Sequence, residues 1–264
     1  MPFLDHLEEL RWRILYSIIA VVVGTAVGFA LVYYFQVLEL LIQPVRRAFD
    51  SPDLQLIYLS PADPFFVMLK LALLVGIILA FPVLVYQTWA FLSPALEPHE
   101  KRAIIPALYL GLVLFVGGVA MAYFAALPVT LEFFRALMVE ALRPELEINY
   151  TLGFITKLLL AFGIVFELPV VIMILTAMGL VTPEFLRSKR RHAAVVMTVL
   201  ASFITPGDVI TLTLMMMAPL ILLFELSIIL SAGIARRKRL ADAGETDESE
   251  EPGMEPPAGA VEAG

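Results

Sequence analysis

Glu167 stands in the run Phe166-Glu167-Leu168-Pro169, near the middle of a long apolar stretch. A carboxyl at such a depth in a bilayer costs about 2.5–3.5 kcal/mol on insertion scales, so it must face protein or water. Pro169 lacks an N–H and leaves the Val165 carbonyl without its helical partner. An acid and a freed carbonyl within one turn read as a polar binding point or ion relay. The plainer alternative is a protonated Glu bonded to a neighbouring helix for packing. Glu225, in a later apolar stretch, poses the same question less sharply because it lies nearer a helix end. Two further sets of carboxylates sit outside the apolar runs. Glu8 and Glu9 belong to His6-Leu7-Glu8-Glu9-Leu10-Arg11-Trp12-Arg13, and Glu97 and Glu100 to the segment from Phe91 to Arg102. Two carboxylates on one face accept bidentate hydrogen bonds from guanidinium groups of a ligand. Alternatively, each pairs with its own neighbours, as Glu9 does with Arg13 at i,i+4.

Catalytic chemistry has no comparable foothold. His99-Glu100 opens a zinc-protease-like motif, but position 103 is alanine and H-E-x-x-H does not form. No nucleophile elbow, phosphate-binding loop or dinucleotide fingerprint occurs. There is no cysteine, and the three histidines, His6, His99 and His192, are too scattered to argue a metal site. The expectation is a protein without enzymatic activity, cofactor or metal, and without nucleic acid among its partners.

The elements that hold these residues are membrane spans. Hydrophobic residues make up 60% of the chain and charged residues 16%, where a soluble domain has about half and about a quarter. Uncharged or nearly uncharged runs predict six spans, at about 14–35, 66–92, 103–126, 151–181, 192–206 and 209–234, within a membrane domain covering 1–235. The fifth is too short for a hydrocarbon core of about 30 Å. It marks a buried helix, a misjudged boundary or a thinned bilayer. Between the first two spans, Val37 to Ile42 reads as part of an interfacial helix interrupted at Pro44. Ala20, Gly24 and Gly28 put small residues on one face of the first span, which allows a close helix contact. Lys70 and Lys157 fall near span ends, where a lysine snorkels to the interface.

The Lys and Arg residues fall in alternate gaps. Twelve of the eighteen occupy the N-terminal segment, 101–102, 187–191 and 236–239; Arg46, Arg47, Arg135 and Arg143 occupy the other gaps. Cytoplasmic loops collect these residues, so both termini are expected in the cytoplasm. No cleavable signal peptide is expected at the N-terminus. Eight acidic residues and no basic one lie from Asp242 to Glu262, and the basic-then-acidic tail, 236–264, reads as disordered from Ala241 onward.

The two mixed-charge segments resemble the TatC family, the multispanning subunit of the twin-arginine protein translocase, and the match runs from about Phe3 to Arg239. It is carried by His6-Leu7-x-Glu9-Leu10-Arg11-x-Arg13, Ser60-Pro61-x-Asp63-Pro64-Phe65-Phe66 and Tyr86-Gln87-x-Trp89-Ala90-Phe91-Leu92-x-Pro94-Ala95-Leu96 followed by His99 to Arg102. Phe162-Gly163-x-x-Phe166-Glu167-Leu168-Pro169 and Thr205-Pro206-x-Asp208 complete it. The resemblance implies an all-α protein of six transmembrane helices in a curved, glove-like arrangement, in the cytoplasmic membrane. It implies that Glu9 and Glu100 dock the paired arginines of a signal peptide, with Arg11, Arg13, Phe91, Leu92 and Pro94 shaping the site and Glu167 lining the membrane-embedded face. It further implies TatA- and TatB-type single-span partners near the fifth and sixth helices, a homo-oligomer in the complex, and transport of folded cargo driven by the protonmotive force. The competing expectation is a proton-coupled transporter of a small solute that uses Glu167 and Glu225 as a relay; the lack of repeat symmetry counts against it.

Overall fold

A computed structural model describes residues 3–51, 54–95, 98–136, 145–204 and 210–249. Nearly all are helical, in the order α1 (Phe3–Tyr34), α2 (Val37–Ala48), α3 (Asp63–Leu92), α4 (Pro98–Met121), α5 (Leu127–Ala136), α6 (Ile148–Val165), α7 (Leu168–Ala177), α8 (Pro183–Ser188), α9 (Arg190–Ile204) and α10 (Ile210–Ser249). Five stretches of the described residues are long and apolar enough to cross a membrane: Asp5–Tyr34, Asp63–Leu92, Ile105–Ala136, Ile148–Ala177 and Met217–Arg236. The 15-residue α9 stands between the last two. At 1.5 Å per residue it reaches only about 22 Å, in keeping with a short fifth span.

α1 packs chiefly along α3. A Cβ added to Gly24 would stand 2.6 Å from the Gly76 carbonyl oxygen, and one added to Gly28 would stand 2.5 Å from that of Ala72. From the other side, a Cβ on Gly76 would meet the Thr25 backbone at 2.5 Å. The small-residue stripe on α1 is therefore a backbone-to-backbone seam, and the glycines are what permits the approach.

Between α1 and α3 the chain doubles back. Gln36 adopts a left-handed conformation at φ 50° and turns it into α2. The apolar face of α2, with Leu41, Ile42, Val45 and Ala48, is buried. Contrary to the expected interruption, α2 runs through Pro44. A proline removes the bond to the carbonyl four residues earlier, here Leu40, and the Tyr123 hydroxyl donates to that oxygen at 2.7 Å. A distant side chain supplies the donor that the backbone lacks.

The third span also differs from expectation. It continues past 126 to Ala136 through a π-helical turn at Ala122–Ala126, with the Leu127 amide donating to the Ala122 carbonyl five residues back. The fourth span is two helices: α6 ends at Val165, and α7 begins beyond Phe166 and Glu167, with Pro169 in its first turn. Proline is tolerated there because first-turn amides have no intrahelical acceptor. Glu147 starts α6 by accepting from the Asn149 and Tyr150 amides at 3.0 and 2.7 Å. Gly179, at φ 73°, ends α7. Its amide donates to Thr176 O, and that of Leu180 donates to Leu175 O, the paired arrangement of a left-handed helix stop.

α10 continues to Ser249, past Ala241, where the disordered tail was expected to begin. The segment from Ala235 to Ala243 is rich in Ala, Arg, Lys and Leu, all strong helix formers. Residues 250–264 lie outside the described ones. Lys70 does not snorkel alone: its ammonium donates to Asn149 Oδ1 at 2.9 Å, and the Asn149 amide donates to Asp63 Oδ1 at 2.6 Å. Asp63 Oδ2 accepts from the Leu59 and Ser60 amides. This network ties the start of α3 to the start of α6.

Candidate functional site

At one end of the α1/α3 pair, the helical period brings Glu9 and Arg13 to one face. Arg13 Nη2 donates to Glu9 Oε1 at 3.1 Å, and Nη1 donates to Gln87 Oε1 of α3 at 3.2 Å. Both charged side chains are about one-quarter exposed. An i,i+4 pair of this kind is worth about 0.3–0.5 kcal/mol, so it orients Glu9 without sealing it off. Below this cluster a groove of about 480 Å³ opens between the two helices. Leu10, Ile14, Ile18 and Val22 line one wall, and Leu84, Thr88 and Phe91 the other. From Leu10 to Val22 the groove follows α1 for about 18 Å. His6 stacks on Phe91 with ring centroids 4.5 Å apart and planes inclined by 17°.

Of the residues expected here, Glu9, Arg13 and Phe91 are brought together. Leu92 ends α3 and turns toward a second apolar cluster around Ala107 and Val170. Pro94 is exposed in the short turn Ser93–Ala95. Arg11 is exposed and sits on another face of α1 from Glu9, two residues and about 200° away. Glu100 belongs to the first turn of α4, and its side chain lies outside the described residues. His6 and Gln87 were not expected as site residues. Gln87 had a signal, being an uncompensated amide at the end of an apolar span. His6 had none apart from its place in a mixed-charge segment.

Glu167 occupies the break between α6 and α7. A Cβ on Gly111 of α4 would lie 2.8 Å from its Oε2, so the carboxyl packs against a helix surface that only glycine leaves open. Its Oε1 is buried with no hydrogen-bond partner among the described residues. Glu225 differs: Arg190 Nη2 donates to its Oε2 at 2.8 Å. The pair ties the start of α9 to α10, and Glu225 is charge-compensated rather than poised beside Glu167. No group of three His, Cys, Asp or Glu residues among those described is arranged to hold a metal ion.

Several apolar helices with their few charges gathered at helix ends define a multi-pass membrane protein, and comparison with known proteins gives its class. Residues 5–219 match the family model described as Sec-independent protein translocase protein (TatC). A Sec-independent protein translocase protein TatC of Aquifex aeolicus is 42% identical over 241 residues, covering 90% of this chain and 98% of that one. The TatC of Escherichia coli K12 is 38% identical over 231 residues, covering 87% and 88%. A solved structure described as the crystal structure of the twin arginine translocase receptor TatC aligns with a TM-score of 0.74 at 40% identity, over 87% of this chain and 99% of that one. The molecule is a component of a protein-transport system and not a catalytic enzyme. The chain belongs to the TatC family.

Proposed function

We propose that this chain is the receptor for twin-arginine signal peptides and the core subunit of a translocase that exports folded proteins across the cytoplasmic membrane. The observation that carries this reading is Glu9, held by an arginine that is itself anchored to Gln87, at the mouth of an apolar groove. A signal peptide presents a paired guanidinium followed by an apolar stretch, and this arrangement offers a carboxylate followed by an apolar channel. Glu9 Oε2 remains available to an incoming guanidinium while Oε1 is held. Arginine is preferred over lysine because its planar fork engages a carboxylate bidentately. Glu100 supplies the second carboxylate, and Arg11, Arg13, Phe91, Leu92 and Pro94 shape the surroundings. TatA- and TatB-type single-span subunits pack near α9 and α10, the chain assembles with copies of itself, both termini lie in the cytoplasm, and the protonmotive force drives transport.

The test is binding of a synthetic twin-arginine signal peptide to the purified protein in nanodiscs, against a twin-lysine control. Glu9→Ala and Glu100→Gln are each expected to weaken the arginine peptide at least about tenfold, or about 1.4 kcal/mol. Equal binding of both peptides, or unchanged binding by both variants, overturns the assignment. Glu167 serves the later, membrane-embedded step: Glu167→Leu should retain peptide binding and lose transport in vesicles. Full transport by that variant returns Glu167 to a packing role. The solute-transporter alternative loses support from the Arg190–Glu225 pair, which occupies one of its two relay groups.

A further inference from the structure

At the end of the molecule remote from Glu9, a second cavity of about 340 Å³ lies between α2 and the π-helical turn. Its polar lining is Gln43, Arg47, Tyr123 and Glu132. The neighbouring charges are satisfied within the protein. Arg46 pairs with Glu39 and donates to Leu54 O, and Arg135 pairs with Asp50 and donates to Ala48 O. Among the charged groups here, Arg47 and Glu132 are the two whose side chains have no hydrogen-bond or ion-pair partner among the described residues. They line one cavity and do not pair with each other. Opposite charges placed around a common space, yet out of reach of one another, suit a ligand that carries both signs.

The cavity's position identifies the ligand class. Ile105–Ala136 is 32 residues long, about 48 Å at 1.5 Å per residue against a hydrocarbon core of about 30 Å. The span exceeds the core, and an ionisable Glu132 one turn from its end belongs in the headgroup layer rather than in the hydrocarbon, where a carboxylate is costly. α2 lies amphipathic beside it, with Tyr33, Tyr34 and Phe35 at least 73% exposed at the end of α1 and Phe124 76% exposed on the π turn. Exposed aromatics of this kind mark a membrane–water boundary. π turns inside helices are frequent at functional positions, and this one lies at the cavity wall.

We propose that this cavity binds the headgroup of a zwitterionic phospholipid bearing a primary ammonium, of the phosphatidylethanolamine type. The Arg47 guanidinium engages the phosphate, Glu132 accepts from the ammonium, and Gln43 donates from the same wall. The acyl chains run along the exposed apolar surface by Phe124. A quaternary ammonium offers no N–H to Glu132, and an anionic glycerol headgroup brings no cation, so both should bind less well.

The experiment is native mass spectrometry of the full chain with phosphatidylethanolamine, phosphatidylglycerol and phosphatidylcholine of identical acyl chains, alongside thermal unfolding in lipid-free detergent. The wild type should retain phosphatidylethanolamine about tenfold over the other two, and Arg47→Gln should lower that retention about tenfold, as expected for loss of a charge-assisted hydrogen bond. Glu132→Gln should erase the preference for phosphatidylethanolamine over phosphatidylcholine. Both side chains are exposed, so lipid-free unfolding temperatures should match the wild type. Equal retention of all three lipids, a preference for phosphatidylglycerol, or phosphatidylethanolamine retention unchanged in both variants overturns the proposal.

Discussion

The Leu40 carbonyl shows how one side chain repairs a local fault. Pro44 removes its ordinary donor, and Tyr123 replaces that donor from 83 residues away. Tyr123→Phe should therefore cost about 0.5–1.5 kcal/mol, the net worth of a hydrogen bond, measured by thermal or denaturant unfolding in detergent. On a Pro44→Ala background, where the helix recovers its own amide, the same substitution should cost measurably less. Equal costs in both backgrounds would show that the hydroxyl does not serve this carbonyl. The sequence displayed Pro44 and the fault it creates, so a break in α2 was the natural expectation. The remedy was invisible because nothing local connects residue 44 with residue 123. Glu9 and Arg13 were legible for the opposite reason, since their interaction follows from helical spacing alone. Gln87, which fixes Arg13 from another helix, required the fold.

At the scale of elements, the apolar runs fall on helices of the described residues, and what they do not display is where the backbone departs from a plain α-helix. The third span ran ten residues longer than its hydropathy suggested because a π turn carries the helix past Pro128. The fourth divided in two at Glu167. Hydropathy reports burial in lipid and says little about how a helix is wound. The seam between α1 and α3 is the strongest element-level commitment, because three glycines there meet backbone atoms rather than flexible side chains. Gly76→Val should separate the pair, lower the yield of folded protein and shift the unfolding midpoint downward by several degrees. Its cost should reach or exceed the about 1–3 kcal/mol of an overpacked contact, whereas Gly117→Ala, where an added Cβ meets nothing within 4 Å, should be nearly neutral. Similar behaviour of the two variants would dissolve the seam argument. The Arg190–Glu225 pair invites a charge exchange: Arg190→Glu and Glu225→Arg should each reduce folded yield, and the double variant should restore it.

For the whole molecule, charge distribution carried the topological reading, and the complete absence of cysteine makes it simple to check. In intact cells, a membrane-impermeant thiol reagent should label Leu59→Cys and spare Arg187→Cys until the membrane is opened. The reverse pattern would invert the molecule. Membership in the TatC family accounts for the all-helical plan and for the transport class. The cavity between α2 and the π turn escaped the sequence because its two unpaired charges lie 85 residues apart and are distinguished only by what their neighbours do.

The glycine seam carries a mechanical implication. Glu9 projects from the same unbroken helix as Gly24 and Gly28, about four turns and then one further turn along, so the carboxylate is a fixed fitting on a rigid spar. A tug on anything fastened there cannot be absorbed by a slack tether. The load passes down α1 to the place where the two backbones touch, is handed to α3, and travels through Asp63 and Asn149 into the head of α6, whose other end is hinged at Glu167.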